Sequence, residues 1–520
     1  MLATTGHAGA QDCSPHGESL EGLPILEITI DNGDIFDLGQ EDQNLWIHRW
    51  ANRLHINTRK STIKEQLLFA PEDGYNQQLI DETERLLRSR SYIHDADITA
   101  EVVCGKGVRL TVVTSDNWTL TPSITVSRSG GETRTAFENE ESNLLGLGTE
   151  IKILTESDEE RDSNAFVYRD KNWLGNLKGL TLELADNSDG HLYRVDMERP
   201  FIKLNSKYAW SAGASSVERE NPVYEGGDEV AKVGESNDSL LVSYGWSGGL
   251  VDGSVSRYRL GWVANKLRYN TVDDPNIELP EDVDKSYPFF EYEHLKVKYV
   301  ERVNFRVMGI TEDIELGSSL RARVGWKDEA YESTEEGHVL QLGFNLGSFV
   351  TTHTLGILQL GLSHESNKTI DDTGRAVMQG QLYHFRGVNH SYVISSRLEA
   401  AQNPELFERI EVGGDSGLKG YPVRFQTGER AFTLSAERRA YFNVYLWQLL
   451  KFGFAVFAEA GSAWDSGENP VWLGDVGTGL RLVSTRQSSS KVLHIDIAFP
   501  LSENDEIDDY QLYVKARTEF

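Results

Sequence analysis

The clearest pattern in the chain is a two-residue alternation over its last hundred residues. Phe452, Phe454, Val456, Ala458 and Ala460 share one face, and Gly453, Ala455, Phe457, Glu459 and Gly461 share the other. Val476, Thr478, Leu480 and Leu482 oppose Asp475, Gly477, Gly479 and Arg481, and Leu493, Ile495, Ile497, Phe499 and Leu501 oppose His494, Asp496, Ala498 and Pro500. A last run sets Tyr510, Leu512, Val514, Ala516, Thr518 and Phe520 against Gln511, Tyr513, Lys515, Arg517 and Glu519. Successive side chains of a strand point to opposite faces, so this period predicts four strands. From Trp118 onward no helical period appears, and 123–128, 148–154, 240–246, 254–264, 339–346, 354–363 and 392–398 are strand-like as well. Polar, acidic segments such as 218–239 and 273–285 are expected to be loops between them. At roughly 25 residues per strand plus connection, the region 118–520 makes about 16 strands. A direct count of runs reaches about 18 or 19, some of them taken as halves of one strand or as hairpins within loops.

The first part of the chain has a different rhythm. A strand-like run at 23–30 precedes a loosely helical stretch, 44–68, with Leu45, Ile47, Leu54, Ile56, Leu67 and Leu68 as its apolar positions. Asp73-Gly74 marks a turn, and Asn76 is placed to cap a helix whose Leu79, Ile80, Thr83, Leu86 and Leu87 share one face while Arg85, Arg88 and Arg90 project elsewhere. Ile98, Ala100 and Val102, then Val108, Leu110 and Val112, alternate as two strands joined by Gly105-Lys106-Gly107. The order strand, helix, helix, strand, strand makes 23–117 a small α+β module. Ahead of it, Ala8-Gly9-Ala10 before Gln11 resembles the small-residue end of a secretory signal that lacks its charged and apolar regions. Residues 1–22 are therefore expected to be a signal remnant or disordered.

Charge and composition narrow the function classes. The 520 residues carry 81 acidic and 51 basic side chains, a net charge of -30, which argues against nucleic acid because phosphate contacts need clustered Lys and Arg. No run approaches the ~18 apolar residues of a transmembrane helix. A membrane barrel stays open, since its strands bury only alternate residues in lipid. With 47 Gly, 13 Pro and 10% aromatics, the composition suits many strands with tight turns. Alternation alone fits both a soluble sandwich, whose apolar face meets a second sheet, and a membrane barrel, whose apolar face meets lipid. Cys13 and Cys104 are too few for a disulfide scaffold or a thiolate metal site; one disulfide and two separate thiols both fit.

Catalytic chemistry finds no support. There is no HExxH, P-loop or paired-Cys motif, and His48 and His55 are seven apart without a third ligand. Gly414-Asp415-Ser416-Gly417 is similar to the nucleophile segment of trypsin-like proteases, but no His has that family's flanks and the chain continues Leu-Lys-Gly-Tyr. We expect no enzyme, catalytic residue, cofactor or metal. Acidic runs such as 156–162 and 503–509 are simplest as solvated loops.

The C-terminal motifs, taken in order, resemble the BamA/TamA-like outer-membrane proteins, the bacterial surface antigen family. Gly413-Gly414-Asp415-Ser416-Gly417-Leu418-Lys419-Gly420-Tyr421-Pro422 is similar to the family's Gly-Gly pair followed by hydrophobic-Arg-Gly-aromatic on a loop that folds back into the barrel. Phe457-Ala458-Glu459-Ala460-Gly461 resembles the family's Phe-x-Asp-x-Gly, and Gly477-Thr478-Gly479-Leu480-Arg481 and Asp496-Ile497-Ala498-Phe499-Pro500-Leu501 resemble the two strands before the last. Asn143-Leu144-Leu145-Gly146-Leu147-Gly148 resembles the approach to an early barrel strand, and 67–75, 84–88, 92–93 and 95–96 resemble the core of a POTRA module. Two positions depart from the family: its loop Arg is Lys419 and its luminal Asp is Glu459.

The resemblance implies one POTRA domain at 23–117 and a 16-stranded antiparallel transmembrane barrel at 118–520, with an inward loop around 401–428. It implies a loop lock made of Gly413, Gly414, Leu418, Lys419, Gly420, Tyr421 and Glu459. It also implies a C-terminal assembly signal at Tyr510, Leu512, Val514 and Phe520. A Lys419–Glu459 pair in a wet lumen would contribute about 1 kcal/mol, more if water is excluded. The implied role is insertion or translocation of polypeptides in a Gram-negative outer membrane, by strand templating at a weak seam between 121–128 and 510–520 and by pairing at the POTRA sheet edge. Implied partners are outer-membrane lipid, unfolded or nascent outer-membrane or secreted polypeptides, and periplasmic accessory proteins. The alternatives are a two-partner secretion pore, a passive surface barrel, and a soluble sandwich.

Overall fold

A computed structural model of the chain describes residues 19–103, 106–129, 131–225, 228–272, 279–488, 491–502 and 507–517. The signal-like Ala8-Gly9-Ala10, both cysteines and Phe520 lie outside them.

The N-terminal unit contains β1 (Ile25–Gly33), α1 (Trp46–Leu54), α2 (Lys60–Lys64), α3 (Gln77–Arg88), β2 (Ile93–Val103) and β3 (Gly107–Asp116). The single helical stretch expected over 44–68 is two helices, separated by an extended segment at 55–59. The sheet order is β1-β3-β2, with β3 parallel to β1 and antiparallel to β2. The Asn76 side chain accepts from the Leu79 N–H at 3.0 Å, capping α3. Ile80, Thr83 and Leu87 of α3 are buried over Val108, Leu110 and Val112, the apolar face of the central strand. Leu79 and Leu86, expected on the same face, are only half-buried.

The rest is a closed antiparallel barrel. Its first six strands are β4 (Leu120–Ser129), β5 (Glu132–Glu141), β6 (Thr149–Ser157), β7 (Asp162–Asp170), β8 (Gly179–Asn187) and β9 (Gly190–Arg199). Long strands follow: β10 (Tyr208–Glu225), β11 (Asp228–Val251), β12 (Ser254–Thr271), β13 (Val283–Val303), β14 (Thr311–Lys327) and β15 (Gly337–Thr351). Then come β16 (Thr354–Glu365), β17 (Thr373–Phe385) and β18 (His390–Gln402). A loop carrying the short strands β19 (Ile410–Val412) and β20 (Gln426–Gly428) leads to β21 (Arg430–Leu446), β22 (Leu450–Trp464), β23 (Leu473–Ser484), β24 (Val492–Pro500) and β25 (Gln511–Arg517).

The ring has 20 strands, which corrects the expected 16. The spacing assumed for a strand and its connection was too long. Strands β4 to β9 are nine or ten residues each, joined in places by two-residue turns, so six of them fit between Leu120 and Arg199. The loop expected over 218–239 is also corrected. It is the outer half of a hairpin between the 18-residue β10 and the 24-residue β11. A strand needs only about 9–11 residues to cross hydrocarbon. Beyond that height both faces meet water, and the sequence no longer has to alternate.

Side-chain direction identifies the surroundings. In β4, Ile124 and Val126 are 81% and 56% exposed, while Thr121 and Ser127 are buried. In β23, Val476 and Leu480 point outward and Asp475 and Arg481 inward. Apolar side chains on the outside of a closed ring and charged ones on the inside are the membrane-spanning arrangement, and closure leaves no second sheet for the apolar face to cover.

The N-terminal unit sits across one mouth of the ring. Arg88 on α3 pairs with Asp313 at 2.9 Å and Glu301 at 2.8 Å, and Arg85 lies over the Tyr299 ring at 4.4 Å. Glu65 accepts from Asn172 at 2.6 Å, and Glu82 from the Leu204 N–H at 3.1 Å. The Trp118 N–H donates to the Arg486 carbonyl at 2.7 Å. The segment resembling a strand approach, Asn143–Gly148, is a docking turn. Gly146 and Gly148 have φ of +76° and +71°, and a Cβ on either would lie 2.6 Å from the Asn57 carbonyl oxygen or 2.7 Å from the Tyr92 hydroxyl.

His94 on β2 faces this junction. Burial, and then the nearby Arg486 guanidinium, push its pKa down to about 4, so the docked state holds it neutral. A base whose pKa falls on docking contributes stability above its free pKa, near 6.5. That stability is lost as pH falls through the window from 6.5 to about 4. We predict that acidification from pH 7.5 to 5 weakens this junction by about 2 kcal/mol. Hydrogen exchange of the N-terminal unit should show it, with the effect flattened in His94→Gln.

Candidate functional site

The loop between β18 and β21 turns into the barrel instead of standing above it. Its base is closed by the β19–β20 pairing, in which Ile410 faces Gly428 and Val412 faces Gln426. Gly413 has φ +134°, and a Cβ there would stand 2.2 Å from the Pro422 carbonyl oxygen; at Gly420 it would meet Asp475 Cβ at 2.7 Å. Glycine is therefore required at both ends of the Gly413–Tyr421 segment for the loop to close on itself and reach the wall.

The segment is held by charge and hydrogen bonds from several strands. Lys419 Nζ stands 3.3 Å from Glu459 Oε1 on β22 and 3.5 Å from Asp496 Oδ2 on β24, and lies 3.8 Å from the Phe457 ring centre. Its backbone N–H donates to Glu459 Oε2 at 3.0 Å. The Gly420 N–H donates to Asp475 on β23 at 2.9 Å. The Tyr421 hydroxyl donates to the Gly474 carbonyl at 2.8 Å, and its ring is fully buried. Arg424 reaches Glu159 at 2.6 Å and Glu160 in the β6–β7 turn on the far wall, and stacks over Tyr224. Lys419 is 5% exposed, so the pair is largely withdrawn from water although it borders the lumen cavity. Breaking it leaves the buried Glu459 carboxylate without its cation, which raises the cost from about 1 to about 3 kcal/mol.

The same loop touches both sides of the join between first and last strands. Asp415 pairs with Lys515 on β25, and a Cβ on Gly414 would stand 3.0 Å from Ser129 Oγ on β4. Burial opposes ionisation of Asp415, but the Lys515 ammonium prevails and holds its carboxyl below the usual range. The ladder at that join is short. Among the described residues β25 meets β4 at one register pair, Val514 with Arg128, whereas β24–β25 has seven and β4–β5 has ten.

The proposed C-terminal signal positions do not join this cluster. Leu512 and Val514 point outward from β25, and Tyr510 precedes the strand with its ring 6.5 Å from Phe499. Sequence reasoning missed Asp475, Arg481 and Asp496. All three lie on the inward face of the alternation, where isolated charges stand among Gly and Ala, and that was the available signal. Arg481 and Asp496 are both fully buried and pair with each other.

A second inward element was also missed. The β13–β14 connection, at the N-terminal unit's end of the barrel, folds into the lumen. Phe305 is buried against Tyr383, at 4.7 Å between ring centres, and Phe385, while Met308 is buried among Tyr441, Ala455, Val483 and Val492. Asn304 and Gly309 both have positive φ and bracket it, the Gly309 N–H donating to Asn304 Oδ1 at 2.7 Å. Between the two inward elements the lumen is lined by paired charges. Glu291 accepts from Arg259 and Arg323 at 2.8 and 2.7 Å, and Glu399 binds Arg375 and Arg397. A cavity of about 1040 Å³ lies beside the loop, lined by Gln341, Gln379, Arg397, Glu399 and Lys419 among others.

No protein-family model matches the chain, and no curated protein matches it in sequence. Solved structures similar to it include BamA from Haemophilus ducreyi lacking POTRA domains 1–3, at 11% identity and TM-score 0.41 over 94% of this chain and 84% of that one. CdiB from Acinetobacter baumannii is similar at 12% identity and TM-score 0.47, over 95% and 73% of the two chains. CdiB from Escherichia coli is similar at 11% identity and TM-score 0.47, over 96% and 76%.

Two predictions follow from the site. Lys419→Met destabilises the docked loop by about 3 kcal/mol, read as a lower urea midpoint in vesicles and faster proteolysis after residue 403; a double-mutant cycle with Glu459→Gln gives a non-zero coupling. The two inward elements obstruct the lumen in series, so Phe305→Ser with Met308→Ser changes planar-bilayer conductance little alone, and several-fold when 404–428 is also deleted.

Proposed function

We propose that this protein is a Gram-negative outer-membrane barrel, with its N-terminal unit a POTRA-like domain in the periplasm, that assists insertion or translocation of other polypeptides. The observation that carries this reading is the β25–β4 join, where among the described residues the closed ring is held by a single register pair and by a loop contact, Asp415–Lys515. Strand edges left short of partners recruit another strand by β-augmentation. Withdrawal of the loop removes Asp415 from Lys515 and exposes the β4 and β25 edges within the bilayer, where an incoming strand satisfies them. The edge strands β1 and β2 of the N-terminal sheet would receive client segments in the same manner. Outer-membrane lipid, unfolded or nascent polypeptides and periplasmic accessory proteins are the partners this role requires, and no covalent step is involved.

A second reading, a pore that exports a dedicated protein, is favoured by one observation: the polar cavity of about 1040 Å³ beside the loop, whose paired charges suit an extended chain in transit. The two readings part at the seam. With Cys13 and Cys104 replaced by Ser, Arg128→Cys with Val514→Cys crosslinks the facing pair described at the seam. Oxidation is expected to slow insertion of client barrels into vesicles at least tenfold, with recovery on reduction. Undiminished insertion with the bond closed overturns the strand-templating reading. Export that survives closure supports the pore.

A further inference from the structure

The N-terminal unit carries an apolar surface that its own fold leaves uncovered. In α1, Trp46, Trp50 and Leu54 recur every four residues and so lie along one face. They are 72%, 56% and 53% exposed. The opposite face is spoken for: Ala51 is buried, and the His48 ring stacks on Phe36 at 4.2 Å while its Nε2–H donates to the Trp447 carbonyl at 2.7 Å. Gln448 also donates to Asp42 just ahead of the helix, at 3.0 Å. These contacts seat α1 on the turn joining β21 to β22. The outward side chains of β21 that lead to this turn, Phe442, Val444 and Leu446, are exposed and apolar, and Trp447 at its tip is 51% exposed. The exposed apolar side chains at this end of the barrel thus lead up to the turn on which α1 is seated, and Trp447 of that turn is bonded to α1 through His48.

We propose that α1 lies in the bilayer surface beside β21 and β22, with phospholipid as its occupant. Trp46 and Trp50 sit at the headgroup level, where an indole has one apolar side and one hydrogen-bonding edge. Leu54 reaches the acyl boundary. Arg49 and Arg53, one turn apart and next to the Trp face, meet lipid phosphates, the combination of basic and aromatic positions that holds a helix in an interface. Arg49 is already oriented by the Asn44 carbonyl and side chain, both at 2.8 Å. The helix anchors the N-terminal unit to the membrane as well as to the barrel, three strands from the seam.

The inference rests on the barrel being membrane-spanning, so its test carries a barrel control. In the full chain with Cys13 and Cys104 changed to Ser, an environment-sensitive fluorophore is placed singly through Trp46→Cys, Trp50→Cys, Leu480→Cys or Glu101→Cys. Each protein is folded into phosphatidylethanolamine–phosphatidylglycerol vesicles with and without nitroxide-bearing lipid. Probes at 46 and 50 are expected to lose at least half their emission to nitroxide near the headgroups. Leu480 should be quenched from within the bilayer, and Glu101 should be unaffected. Quenching at 480 with none at 46 and 50 overturns the proposal while leaving the barrel reading intact. No quenching at 480 overturns both. Emission at 46 and 50 that follows protein concentration and not lipid label assigns the face to a second copy and likewise overturns it.

Discussion

A backbone N–H or C=O left unpaired in hydrocarbon costs several kcal/mol, so a sheet in a bilayer must have no free edge. Nineteen of the twenty joins in this ring meet that demand with long ladders. The twentieth, between β25 and β4, meets it at one described pair. The inward loop, the buried charges and the polar wall all bear on that one place. Asp415 reaches across to Lys515 because the loop is anchored behind it by Lys419, Gly420 and Tyr421 on β22, β23 and β24. A short ladder is thus supported from inside the barrel by an element that is itself held through a handful of polar contacts.

Those contacts are strong because they are dry. Lys419 sees Glu459 and Asp496 at similar distances, with Arg481 paired to the same Asp496, so removing Lys419 leaves Glu459 buried without its cation while Asp496 keeps Arg481. The aromatic face of Phe457 takes part of the Lys419 ammonium's solvation. The lumen beyond is lined by Arg–Glu ladders in place of apolar packing, which keeps its wall rigid without closing it to water.

The barrel is obstructed from both ends by unlike devices. On one side the loop is held by ions and hydrogen bonds. On the other, the β13–β14 connection inserts Phe305 and Met308 by apolar contact, and the N-terminal unit grips the strands flanking that connection through Arg88 and Arg85. Movement of the N-terminal unit is therefore mechanically tied to the strand ends that carry the apolar plug.

Much was legible in the chain itself. Period-two alternation marked β22 to β25 with the correct inward and outward faces, because one side of each strand meets hydrocarbon. Asn76 and the apolar positions of α3 marked a capped helix, and the glycine-rich segment at 413–420 marked an unusual backbone. The number of strands was not legible. Outside the bilayer a strand has no need to alternate, so the facing ends of β10 and β11 looked like a loop, while six short strands before Arg199 were too closely spaced to separate. Nor could the sequence show which charges meet. Lys419, Glu459 and Asp496 lie on separate elements far apart in the chain. Only the curvature of a closed ring, folding a loop against four of its own strands, brings them within a few ångströms of one another.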